Sequence, residues 1–167
     1  MTIMPIKLYG SPVLREKAAP VDEITDELLD LIVGMRESPY YHQGVGLAAN
    51  QIGVARQLFL ADEGKGLKAF INPRIIETDG ESSSEEGCLS LPEIYVDITR
   101  AQTLLLEYLD EKGEIRRLEA DGLLARIIQH EYDHLKGVLI SDRAGFLASR
   151  MIRGKLKRLR KRVRESL

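Results

Sequence analysis

The sequence predicts an α+β fold. It would consist of mostly antiparallel short-stranded sheets around a central HExxH-bearing helix, with an N-terminal helix and a basic amphipathic C-terminal helix. Three observations carry this. Apolar residues between positions 57 and 118 come in short runs separated by turn-forming residues, as strands do. The stretch LLARIIQHEYDHL reads as a helix, opened by Asp121 and Gly122 and closed by Gly137 just past its end. The segment FLASRMIRGKLKRLRKRVRESL places Leu147, Met151, Leu156, Leu159 and Val163 on one stripe, with arginines and lysines elsewhere.

The elements follow in order. Thr25 is placed to cap a helix over residues 25 to 39, with Asp26 and Glu27 in its first turn and Leu28, Leu29, Leu31, Ile32 and Met35 at helical recurrence. HQGVGLAANQIGVARQ is too rich in small residues for a regular surface element. QLFLAD, KAFINP and RIIET read as three short strands, and SSSEEG, residues 82 to 87, as an acidic turn-rich loop. EIYVDITR and TLLLEYLDEKGEIRRLEA supply three more strands, the last two joined by a hairpin around residues 111 to 113. At 167 residues, with no repeat, no low-complexity linker and no second hydrophobic core, the chain is expected to be one domain, residues 1 to 167.

Composition narrows the function. With 44% hydrophobic and 30% charged residues the chain is that of a water-soluble globular protein, and no apolar run approaches the roughly 18 residues of a membrane helix. The N-terminus has neither a signal-peptide core nor transit-peptide character. Cys88 is the single cysteine, so a reducing compartment is the natural home and the thiol is left for packing, reactivity or metal binding. The formal charge of −2 hides an asymmetry. Residues 1 to 149 hold 15 Lys/Arg against 25 Asp/Glu, and residues 150 to 167 hold 9 against 1. That basic block is either a solvated helix face or a handle for nucleic acid.

QHEYDHLKG, residues 129 to 137, poses the chemical question. Four residues advance about 400° around a helix, which puts His130 and His134 on one face a turn apart, able to reach one metal ion. Glu131 points about 100° away from His130 and can approach a water at the ion without entering the coordination sphere. Two histidines need a third ligand. The HExxHxxGxxH pattern requires histidine at position 140, which is Ile140. A downstream glutamate is represented only by Glu165, in the basic tail. His42 and Cys88 remain, the thiolate being the strongest soft ligand in the chain; a small buried hydrophobe is the alternative role for Cys88.

GVGLAANQ at 44 to 51, EGCLS at 86 to 90 and QHEYDHLKG at 129 to 137 match, in order and spacing, the three signature motifs of peptide deformylases. The similarity also runs through IKLYGSPVLREKAAPV near the N-terminus. The chain is thereby identified as resembling a member of that family, and the 34 residues between Gln51 and Glu86 resemble the shorter bacterial subclass. The resemblance implies a metal-dependent hydrolase that removes the N-formyl group from the initiator methionine of nascent polypeptides, releasing formate. It implies Cys88, His130 and His134 as ligands of one divalent ion with water in the fourth position. Fe2+ is implied by the family; the donor set also suits Zn2+, Ni2+ or Co2+. Glu131 is implied as general base and then general acid, with the Gln51 side-chain amide and the Leu89 backbone N–H stabilising the oxyanion. Gly44 and Gly46 would admit the substrate backbone, while Val45, Leu123 and Ile127 line the methionine pocket and Leu91 shapes its wall. Residues 150 to 164 become a candidate ribosomal RNA contact, and a bacterial cytoplasm the expected location.

Two rival readings have distinct requirements. A zinc endopeptidase using HExxH would cleave internal peptide bonds without needing Cys88. A non-enzymatic ribosome- or RNA-binding module with a structural metal would need a closed set of four protein ligands, for which His42 is the obvious addition.

Overall fold

The run LFLAD is apolar almost throughout because both faces of its strand are covered. In the computed structural model, which describes residues 4–37, 46–62 and 64–166, the chain runs α1 (Asp26–Arg36), β1 (Gly46–Ala48), β2 (Leu58–Asp62), β3 (Leu67–Asp79), β4 (Ser82–Cys88), β5 (Leu91–Arg100), β6 (Thr103–Leu109), β7 (Ile115–Asp121), α2 (Gly122–Leu135), α3 (Ile140–Arg143) and α4 (Phe146–Glu165). Leu58 and Leu60 of β2 join Ile32 and Met35 of α1, whereas Phe59 and Ala61 join Ala125 and Ile128 of α2. A strand sandwiched between two helices reads as a continuous apolar run.

Five strands form one antiparallel sheet in the order β1-β2-β3-β6-β7, and β4 with β5 forms a separate antiparallel ribbon. The helix α2 lies against β1, β2, β6 and β7, so the HExxH segment sits centrally, as the sequence predicts. On the far side of the ribbon, α3 and α4 pack on β5 through Ile94, Val96, Ile98, Ile140, Ile152 and Leu159. Thr25 Oγ1 accepts the Leu28 N–H at 3.2 Å, the expected cap of α1. Asp121 stands at the N-terminus of α2 but makes no side-chain cap bond. Gly137 turns the chain after α2 at φ +76°, and a Cβ there would lie 2.6 Å from the Arg15 carbonyl oxygen. Only glycine fits both demands.

Four expectations change. α1 ends at Arg36, and residues 38 and 39 of the expected helix lie outside the described residues. KAFINP and RIIET form one 13-residue strand, β3, whose register shifts between Ile71 and Arg74. Asn72 adopts φ +48° at that bulge, and its side-chain amide bonds both the N–H and the carbonyl of Val21 at 2.8 Å. SSSEEG is strand β4, not a loop. In α4 the buried positions are Ile152, Leu159 and Val163, while Leu147 and Met151 of the expected stripe are 74% and 83% exposed. Leu156, Leu159 and Val163 of that stripe do turn inward, and Ile152 takes the place of Met151 in the first half of the helix.

Candidate metal centre

The ribbon and the central helix meet at three side chains. β4 runs in register with β5 from Ser82 to Gly87, then slips, so that Cys88 pairs with Leu91. Such a bulge re-aims the side chain at its end. Cys88, His130 and His134 each present one donor atom, and the three atoms lie within 4.8 Å of one another. Cys88 Sγ stands 3.4 Å from His134 Nε2. The two imidazole rings are 5.2 Å apart between centroids, the one-turn separation expected of positions i and i+4.

The ring of His130 is held from behind. Its Nδ1 lies 2.9 Å from Glu86 Oε1, leaving Nε2 for the centre. Glu86 itself is buried and bonded by Arg100 Nε and Nη2 at 2.6 and 2.9 Å and by Arg126 Nη1 at 2.5 Å. Burial alone would push the Glu86 carboxyl up; His130 and Arg100 overcome it and hold its pKa at about 2. For His134, burial and the neighbouring His130 and Arg100 push the pKa well below the ordinary value, which favours the neutral ring a metal requires. Burial also opposes charge on His130, but its hydrogen bonds to Cys88 and Glu86 outweigh this and raise its pKa.

Glu131 is 3% exposed, and its Oε1 has no hydrogen-bond partner. Burial raises its pKa to about 7. The side chain fits because Gly46 on β1 leaves room: a Cβ there would lie 2.7 Å from Glu131 Oε2. Gly46, expected to make way for substrate, first makes way for this carboxylate. Gln51 is buried beside it; its Oε1 accepts the Ala48 N–H at 3.0 Å, and its Nε2 lies 3.2 Å from Ser90 Oγ and 3.7 Å from Cys88 Sγ.

A cleft of about 720 Å³ opens over these groups. Gly46, Gln51, Cys88, Leu89, Leu91, Leu123, Ile127, His130 and Glu131 line it, so nine of the residues singled out in the sequence share one cavity. His134 lies beneath, 1% exposed. Gly44, Val45 and His42 lie outside the described residues. Tyr95, which the sequence reading leaves out of the site, stands on the cleft wall, and that reading missed the charged side chains behind the site, Arg100, Arg126, Asp133 and Arg143. The only available sign was that Glu86 and Asp133 lie close to the predicted ligands in sequence.

The donor set of one thiol and two imidazoles fits a soft-to-borderline divalent ion, and three such ligands would leave a fourth position open for catalysis. An α+β fold that brings such a set together beside a cleft, with a buried carboxylate whose Oε1 is unbonded among the described residues, defines a metal-dependent hydrolase. Residues 3–149 match the family model described as Polypeptide deformylase. The peptide deformylase of Thermotoga sp. strain RQ2 is 45% identical over 152 residues, 90% of this chain and 93% of that protein. The crystal structure of peptide deformylase from Thermus thermophilus aligns with a TM-score of 0.90 at 40% identity, over 96% of this chain and 99% of that one. That from Thermotoga maritima aligns with a TM-score of 0.83 at 44% identity, over 87% of this chain and 99% of its own. The chain belongs to the polypeptide deformylase family. Its activity is hydrolytic removal of the formyl group from nascent peptides.

Proposed function

We propose that Cys88, His130 and His134 hold one divalent ion, Fe2+ in the native enzyme with Zn2+, Ni2+ or Co2+ as substitutes, and that Glu131 moves the proton in deformylation. Bound there, the ion supplies Lewis-acid polarisation of the formyl oxygen and acidifies the attacking water. Glu131, with a pKa of about 7 and a buried oxygen that has no hydrogen-bond partner among the described residues, would take the proton from the attacking water and return it to the departing amine. Because the Ala48 N–H occupies Gln51 Oε1, the amide nitrogen is the end that faces the reaction, and it donates to the developing oxyanion. The Leu89 N–H, immediately after Cys88, is the second donor.

β1 lies at the end of its sheet, so its outer edge is free, among the described residues, to pair with an extended peptide at Gly46. Leu123 and Ile127, which line the cleft, receive the methionine side chain together with Val45, Leu91 shapes the pocket wall, and Gly44 with Gly46 admits the substrate backbone. The observation that carries the reading is the convergence of one thiol and two imidazoles near a buried carboxylate whose Oε1 has no hydrogen-bond partner among the described residues. Formate release from a formyl-Met peptide, measured anaerobically with Fe2+ or Ni2+ loaded, tests it. Glu131→Ala is expected to keep its metal and lose turnover; undiminished formate release would refute the assignment. The endopeptidase reading fails at Ile140, which is a buried core residue of α3.

We also propose that the 167 residues act as one domain in a bacterial cytoplasm, with residues 150 to 164 meeting ribosomal RNA. The cations Arg150, Lys157, Arg158, Lys161 and Arg164 fall on the face of α4 opposite its buried stripe. Among the described residues, no helix is long and apolar enough to cross a membrane. Salt-dependent co-sedimentation with ribosomes, with and without residues 150 to 167, tests the contact; equal pelleting of both forms would end it.

A further inference from the structure

Asp133 precedes the ligand His134 by one residue, and its buried carboxylate bonds two guanidinium groups. Arg100 Nη1 reaches Asp133 Oδ2 at 2.9 Å. Arg143, the last residue of α3, grips both oxygens, Nε to Oδ2 at 2.5 Å and Nη2 to Oδ1 at 2.7 Å. Arg100 meanwhile forks on Glu86, and Glu86 fixes the His130 ring. The side chains of Arg100, Asp133 and Glu86 are 3%, 8% and 5% exposed; Arg143 is 44% exposed and closes the series at the surface.

Arg100 divides its donors between two carboxylates, and Arg143 supplies the other side-chain bonds to Asp133. Asp133 Oδ1 has no donor besides Arg143 among the described residues. If Arg143 is removed, a buried carboxylate oxygen is stripped, and the remaining nearby cation is Arg100. Arg100, already bonded to Asp133 Oδ2, is then the guanidinium left on that carboxylate, and any turn toward Oδ1 comes at the expense of its fork on Glu86. Glu86 then loses part of what orients it, and the ring it holds belongs to His130.

We infer that Arg143 is a positioning residue for His130, acting from outside the cleft through Asp133, Arg100 and Glu86. The inference rests on the ligand assignment proposed above. Arg143 neither lines the cleft nor belongs to the three-residue donor set, and its purely structural alternative is to staple α3 to α2.

Cobalt(II) affinity by chelator competition, with the thiolate-to-cobalt absorption bands as a second readout, separates the two roles. Arg143→Met is expected to weaken cobalt binding about tenfold, in the range that supporting side chains contribute, and to shift those bands. In a Glu86→Gln background the same substitution is expected to weaken binding by less than about twofold, because its route to His130 is already broken. An unchanged affinity and spectrum in Arg143→Met, or an equal loss in both backgrounds, would overturn the inference. If Arg143→Met does not fold, Arg143→Lys, which keeps the charge but not the fork, takes the same comparison in both backgrounds. A wild-type protein that takes up no cobalt would instead overturn the ligand assignment, and the inference with it.

Discussion

Gly46 and Glu131 share one space: a Cβ built on Gly46 would stand 2.7 Å from Glu131 Oε2 and 3.1 Å from its Cδ. The edge strand of the large sheet and the carboxylate of the central helix are thus fitted to each other at the reacting centre. Gly46→Ala is expected to push the carboxylate aside and lower kcat/KM by about a hundredfold, as displacements near 1 Å do. Metal content should stay at the wild-type level, since the atoms nearest that position all belong to Glu131 and none to Cys88, His130 or His134. Wild-type activity in the alanine variant would show that Glu131 is not confined by this contact.

Gln51 has two separable duties. Its Oε1 satisfies the Ala48 N–H and its Nε2 faces the cleft beside Cys88 and Ser90. Gln51→Ala should lower kcat by about 10²–10³, the loss typical of one oxyanion donor. It should also destabilise the fold by about 1–3 kcal/mol, because the Ala48 N–H is left without its acceptor. Steady-state kinetics and denaturant unfolding check the two effects independently. A change in KM alone would remove Gln51 from the oxyanion role.

Much of this site was legible before the structure, because its central chemistry sits in short local patterns. HExxH needs only helical spacing, and GVGLAANQ and EGCLS have distinctive compositions. The misread pieces share a physical cause. β4 reads as a loop because its inward-facing Glu86 is satisfied by Arg100, Arg126 and His130 in place of apolar neighbours, so no alternation of apolar residues marks the strand. β3 reads as two strands because Asn72 and Pro73 look like a break; the chain instead bulges there, and the sheet continues. The pairs that join Glu86, Arg100, Asp133 and Arg143 involve four different elements, and no local pattern encodes them.

Glu86 should give the protein a defined acid sensitivity. Its pKa falls from an ordinary 4.5 to about 2 on folding, so its ionised form stabilises the folded state fully above about pH 4.5. That contribution, about 3 kcal/mol from the size of the shift, is lost as pH falls from 4.5 toward 2. Urea unfolding of the wild type between pH 6 and 3 should show stability dropping through this window. Glu86→Gln should be less stable at pH 6 and show a shallower drop. Parallel curves for the two proteins would remove Glu86 as the titrating group.

The last test concerns which positions anchor α4. Leu159 is 5% exposed and packs with Ile94, Val96 and Ile98 of the ribbon, whereas Met151 is 83% exposed, eight positions earlier on the same helix. Leu159→Ala should destabilise the protein by about 2–5 kcal/mol, combining lost burial with the cavity left behind. Met151→Ser should stay within about 0.5 kcal/mol of wild type, as exposed substitutions do. Because α4 packs on β5 and β5 pairs with the strand that carries Cys88, the Leu159 variant should also retain metal less well. Thermal unfolding and metal analysis of the two variants check this together. Equal destabilisation by both would place Met151 on the buried face alongside Leu159.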